Sequence, residues 1–203
     1  MNPSLSTRDR WGLGAFAIYF VLTMLFFGRG VVGHFTRIHV GMNQPDPGQL
    51  MWCFTWLPHA LEQGRNPVFS GAVWAPAGIN AVWTTWMPLA GLIVWPITAA
   101  WGPVAAFNAV TLPLFALAGW SAFLLCRYVT GSWWSALASG YLFGFSGYMT
   151  FAAWYGDPHV LAVFPIPLGI LAVLRVLNHE LSRRRFIICF TALQVGLFGF
   201  FVE

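Results

Sequence analysis

Met87-Pro88-Leu89-Ala90-Gly91-Leu92-Ile93-Val94-Trp95-Pro96-Ile97-Thr98-Ala99-Ala100-Trp101 is an uncharged run of 15 residues carrying two prolines and two tryptophans. Whether it crosses a bilayer decides how the rest of the chain is arranged. A crossing helix needs about 20 residues. Loops on the cytoplasmic side carry an excess of Lys and Arg, so the arginines discriminate between the alternatives. If the run crosses and the N-terminus is inside, Arg127 and the Arg183-Arg184-Arg185 cluster fall outside. If it lies along the interface or dips in and out, Arg8, Arg10, Arg127, Arg175 and Arg183–Arg185 all fall inside, leaving Arg29, Arg37 and Arg65 outside. The second arrangement obeys the charge bias. It also suits Pro88 and Pro96 and places Trp83, Trp86, Trp95 and Trp101 in an aromatic belt at headgroup level. The run is therefore predicted to lie at the interface.

Composition supplies the bilayer. Apolar residues make up 58% of the 203 positions and charged residues 8%, with a mean hydropathy of +0.68. A soluble domain carries about 25% charge. The apolar runs are long and continuous rather than alternating, which disfavours a β-barrel. The expected fold is all-α, a polytopic bundle of about five spanning helices over Trp11–Gly28, Ala105–Cys126, Trp133–Ala153, Val160–Leu177 and Phe186–Val202. The first run has no small-residue cleavage site, so it reads as an anchor rather than a removable signal peptide.

All ten basic residues are Arg, a bias that fits GC-rich coding and a bacterial source. The net charge of +4 is concentrated in the membrane-side cluster Arg183–Arg185, so no nucleic-acid partner is expected. Cys53, Cys126 and Cys189 form no CxxC pair and are expected to be buried, inert thiols.

The outer loop from Arg29 to about Val104 holds the polar residues His34, Arg37 and His39, then Pro45-Asp46-Pro47. Asp46 is expected to cap a helix over Gly48–Gln63. Leu50, Phe54, Leu57 and Leu61 share one face of that helix, which suits a membrane surface. Pro58 should bend it, and Gly64 should end it. A turn-rich segment through Ser70, Gly71, Pro76, Gly78 and Asn80 follows. The second outer loop, Trp154-Tyr155-Gly156-Asp157-Pro158-His159, carries another Asp-Pro pair. Of six acidic residues, Asp9 and Glu180 fall inside, whereas Asp46 and Asp157 meet at the mouth of the bundle. Each Asp-Pro reads as a helix cap. A carboxylate held at a helix terminus is also well placed as a base or a metal ligand. Asn108 and Gln194, inside spanning segments, should turn their amides toward other helices. Glu203 would end the fifth helix near the two aspartates.

The order of these segments, with Asp46-Pro47-Gly48-Gln49-Leu50-Met51-Trp52, His59-Ala60-Leu61-Glu62-Gln63-Gly64-Arg65-Asn66-Pro67 and Asn108 through Gly131-Ser132, resembles the N-terminal part of GT-C class integral-membrane glycosyltransferases, closest to uncharacterised bacterial members. The resemblance implies sugar transfer from a polyprenyl-phosphate-linked donor on the extracytoplasmic face of a bacterial inner membrane, with the N-terminus cytoplasmic. It implies Asp46 as catalytic base or acceptor-positioning acid and Asp157 as the second acid, sometimes acting through a divalent cation such as Mg or Mn. Arg65, Arg37, His59 and His159 are candidate phosphate or carrier contacts, since Arg binds phosphate bidentately. The early acid is single, and the second loop reads Asp-Pro-His rather than a spaced pair of aspartates, so metal use stays open. Full-length members have many more helices, so the chain reads as a C-terminally incomplete module. The alternative is a non-catalytic membrane subunit, scaffold or lipid-sugar transporter component acting with partner membrane subunits.

Overall fold

The computed structural model describes the backbone of residues 5–200 and the side chains of residues 12–200. The side chains of Arg8, Asp9 and Arg10, and all of Glu203, lie outside the described residues. Helix accounts for 74% of the structure and strand for about 3%. Helix α1 (Leu5–Thr23) continues into a π-helical turn over Met24–Gly28. Helix α2 (Pro45–Glu62) is followed by a two-stranded ribbon of β1 (Phe69–Ser70) and β2 (Ile79–Asn80), then by α3 (Pro88–Trp101). Next come α4 (Pro103–Thr130), α5 (Trp133–Gly144), α6 (Gly147–Tyr155), α7 (Pro158–Leu161), α8 (Pro165–Leu177) and α9 (Arg183–Phe200).

Two segments, Pro103–Thr130 and Pro158–Leu177, are long and apolar enough to cross a membrane; Gly12–Gly28 and Pro88–Trp101 are shorter apolar helices. Helix α4 is the hub, packing against α1, α2, α3, α5, α7 and α8. Helix α1 runs antiparallel to it: the Trp120 indole donates to the Gly12 carbonyl (3.0 Å), and Phe27 stacks on Phe115 with centroids 4.2 Å apart. The α4–α5 crossing is a glycine interface. Gly140 and Gly144, four apart on α5, lie against Gly119. A Cβ on Gly144 would stand 2.7 Å from the Gly119 nitrogen, and one on Gly140 would overlap the Gly119 carbonyl and the Tyr19 hydroxyl. Small residues at this spacing let helix backbones approach closely in lipid. Tyr19 then donates across the interface to the Leu137 carbonyl (2.9 Å).

Several sequence expectations change. The run expected to be one helix over Trp133–Ala153 is broken at Phe145-Ser146, where Ser146 caps α6 by accepting from Met149 N–H (3.4 Å). Val160–Leu177 is interrupted at Ala162–Phe164, so its regular part starts at Pro165. The apolar face of α2 is buried in protein rather than laid on a membrane surface. Leu50, Phe54 and Leu57 are all buried, and only Leu61 is exposed. The helix also continues through Pro58 to a close at Gly64, whose N–H bonds the Leu61 carbonyl while Arg65 N–H bonds that of Ala60. Cys189 is exposed on α9 and Cys126 half-buried; only Cys53 is a fully buried thiol. Trp83 and Trp101 are exposed as a belt requires, but Trp86 belongs to a core with Cys53, Leu57 and Ala81.

Helix α3 packs on α2 and α4. At 1.5 Å per residue it is about 21 Å long. Its N-terminal flank, Thr85, accepts at its carbonyl from the Gln49 amide (3.1 Å). Its C-terminal flank, Gly102, leads within two turns to Asn108, which holds the loop over residues 35–40. At the far end of α4, Tyr128 donates to Glu180 Oε1 (3.1 Å), accepts from the Asn178 amide (2.7 Å) and lies under the Arg175 guanidinium (5.7 Å). Arg127 sits beside it, its guanidinium donating to the Gly131 carbonyl. Asn108 and Tyr128 are about 30 Å apart along the helix, the thickness of a hydrocarbon core.

Gly140→Ala should destabilise the detergent-solubilised protein by about 1–3 kcal/mol, the cost of overpacking a close-packed interior. Gly14→Ala, at a position with open space around it, should leave thermal unfolding nearly unchanged.

Candidate active site

Backbone contact at two glycines assembles the site. Gly156 ends α6 in the left-handed region (φ 84°), with its N–H on the Ala152 carbonyl (3.0 Å) and Asp157 N–H on the same oxygen (3.0 Å). The outer loop reaches this turn at Gly41, also left-handed (φ 96°). A Cβ on Gly41 would stand 2.9 Å from Gly156 Cα; one on Gly156 would stand 2.5 Å from Pro47 Cγ. Met42 N–H adds a 2.7 Å bond to the Trp154 carbonyl. Asn108 anchors the loop from the other side. Wholly buried on α4, it accepts from Val40 N–H (2.9 Å) and donates to the carbonyls of Phe35 (2.9 Å) and Ile38 (2.8 Å). Its amide therefore serves a loop and not, as the sequence suggested, another helix. Gln194 on α9 is exposed on the groove between α8 and α9.

Because Pro47 rests on Gly156, the residues before and after them meet. Asp46, Gln49, Leu50, Thr85, Asp157 and His159 line one cavity of about 230 Å³. Neither aspartate is consumed as a cap. Helix α2 starts three residues earlier than expected, with Gln44 at the cap and Asp46 in its first turn. Asp157 stands at the cap of α7 but makes no side-chain cap bond. Its Oδ1 is buried and accepts no hydrogen bond among the described residues. Burial pushes the Asp157 carboxyl above the usual carboxylate range; His159 opposes that rise and the charge of Asp46 adds to it.

The remaining predicted contacts stand elsewhere. Asp46 and His59 are 13 residues apart on one helix, hence about 20 Å along its axis. His59 Nε2 meets the Gln63 amide (3.0 Å), and Arg65 follows Gly64 beyond that end; both are exposed. Arg37 is exposed on the loop and does not line the cavity. Of the six lining side chains, His159 alone can carry positive charge. Among the described residues no three of His, Cys, Asp and Glu gather closely enough to hold a metal ion. A cation between Asp46 and Asp157 would draw most of its ligands from substrate oxygens and water, so the residues alone build no metal site.

Gln49 and Thr85 were not singled out from the sequence. Gln49 lies three residues after Asp46, and that spacing on a helix puts both on one face. Thr85 gives no such sign, because folding alone brings it in. Comparison with family models, curated proteins and solved structures finds no match.

A carboxyl raised by burial favours folding at low pH, where it is protonated. That contribution is complete below the unfolded value near 3.9 and is lost as pH rises through the folded value. Asp157→Asn should therefore unfold at a higher temperature than the wild type at neutral pH, with the gap closing toward about pH 4. Thermal melts across that range check this.

Proposed function

We propose that the chain is the transmembrane module of a glycosyltransferase that uses a polyprenyl-phosphate-linked sugar at the extracytoplasmic face. The observation that carries this reading is the convergence of Asp46 and Asp157 with His159 in one polar cavity at the end of the bundle opposite Arg127 and Arg175. In membrane terms, α1 with its π-turn, α4, α5–α6, α7–α8 and α9 each traverse the bilayer. The acids then face the extracytoplasmic side, and the arginine end faces the cytoplasm.

The chemistry needs a base at the acceptor hydroxyl and positive charge at the departing phosphate. The acceptor oxygen bonds to the anomeric carbon as the bond from that carbon to the phosphate oxygen breaks. Polyprenyl phosphate leaves with the electron pair, and the hydroxyl proton passes to a carboxylate. Asp157, whose carboxyl is raised by burial, takes the part of the base. Asp46, exposed at the cavity rim, positions the acceptor. His159 faces the phosphate, the one of the four contacts expected from sequence (Arg65, Arg37, His59 and His159) that lines the cavity. Attack from the side opposite the phosphate inverts the anomeric centre.

The breaks at Phe145-Ser146 and Ala162–Phe164 favour a second reading, a lipid-sugar transporter component, since interrupted helices mark substrate sites in transporters. The two readings separate by assay. Asp46→Asn and Asp157→Asn should each reduce sugar transfer from a synthetic polyprenyl-phosphate donor by about 10²–10⁴-fold with folding intact. Wild-type transfer by either variant defeats the enzyme reading. In a background without native cysteines, single cysteines at positions 46 and 157 should react with an impermeant maleimide from outside the cell, and one at 184 should not. Opposite accessibility of 46 and 157 would separate the two acids.

A further inference from the structure

A second cavity adjoins the acid pocket and shares Gln49 with it. Gln49, Trp52, Val73, Trp74, Ile79 and Thr84 enclose about 280 Å³ on the outer-loop layer. Its walls are built. Trp52 stacks on Trp56 with rings 7° from parallel and centroids 5.8 Å apart, and the Trp56 indole donates to the Pro67 carbonyl (2.9 Å). The ribbon holds the opposite wall, with Phe69 paired to Asn80 and Ser70 to Ile79. Ala81 N–H ties that ribbon to the Val68 carbonyl (2.7 Å). Trp74 is 74% exposed yet adopts φ 54°, a costly conformation for a bulky side chain. The indole lines the cavity and stays open to solvent rather than joining a core.

The polar groups are few and directed. The Gln49 amide nitrogen is engaged by the Thr85 carbonyl, which leaves its oxygen to accept. Thr84 Oγ1 donates to the Ala81 carbonyl (2.9 Å) and retains lone pairs. Indole faces with hydroxyl-seeking acceptors at the edge match a pyranose, whose axial C–H groups form an apolar face and whose hydroxyls ring the perimeter. A mostly apolar pocket with a few convergent polar groups is the usual form of a small-molecule site.

We propose that this cavity binds the acceptor saccharide, stacked on Trp74 and Trp52, with Gln49 spanning from it to the acid pair. The inference rests on the glycosyltransferase reading for the word acceptor, but the binding itself is testable without catalysis. Trp83, which is 86% exposed and lines neither of the two cavities, is the control for a tryptophan that serves only as a lipid anchor.

The test is saturation-transfer NMR on the full chain in lipid nanodiscs, with methyl glycosides of glucose, galactose and mannose as probes. At least one should receive saturation at its ring C–H protons. Trp74→Ala should weaken its binding about tenfold, the scale of one lost stacking contact. Thr84→Val should weaken it as well, without disturbing the ribbon. Trp83→Ala should bind as the wild type does. Absence of transfer to all three glycosides, undiminished binding by Trp74→Ala, or an equal loss in Trp83→Ala would each overturn the proposal. Saccharide binding that persists while Asp46→Asn and Asp157→Asn retain full sugar transfer would instead refute the acid-pair chemistry and leave the binding site standing.

Discussion

The contact between Gly41, Gly156 and Pro47 is the constraint on which the site depends. Two chain segments far apart in sequence touch backbone to backbone, at a separation that leaves no room for a Cβ on either glycine. Both glycines are in a conformation that residues with side chains rarely adopt, so sterics and backbone preference act together. The aspartates gain their proximity from this contact rather than from attraction, because two carboxylates repel. The protein holds them together against that repulsion; burial is the main reason the Asp157 carboxyl is raised, and the charge of Asp46 adds to it.

The contact would be loose without the support behind it. Asn108 fixes the loop by three hydrogen bonds from within the core, where the alternative is a buried, unsatisfied amide. Helix α4, which carries Asn108, is itself clamped at Gly119 by α5 and at Phe115 by α1. Rigidity thus passes from the glycine interface of the bundle to the amide and then to the loop. An acid that forgoes its cap bond and leaves a buried oxygen unsatisfied lowers stability, a trade commonly found where function sets the residue.

Much of this was legible in the chain. The two Asp-Pro pairs marked the residues that converge. What stayed hidden depends on distance in space. Arg65 and His59 look close to Asp46 in sequence, but a helix carries them about 20 Å away. The buried face of α2 and a membrane-surface face share one periodicity, so pattern alone could not say whether protein or lipid covers it. The break at Ser146 was signalled by a Ser-Gly pair inside an otherwise continuous apolar run, and hydropathy outweighed it. The ribbon is held by Trp56 and Val68 through contacts that no local motif announces.

Helix α9 differs from the rest of the bundle. None of its residues is buried, and it packs mainly on α8 and α3, at Phe190 against Gly169 and Gly199 against Leu89, with Phe200 edge-on to Phe164. None of the side chains lining the two outer cavities belongs to it. Detachment of this segment would therefore leave both cavities walled as before, and amide exchange along it should run ahead of exchange in α4. The helices that wall the two cavities are the tightly packed part of the molecule, and α9 is its loosely held edge.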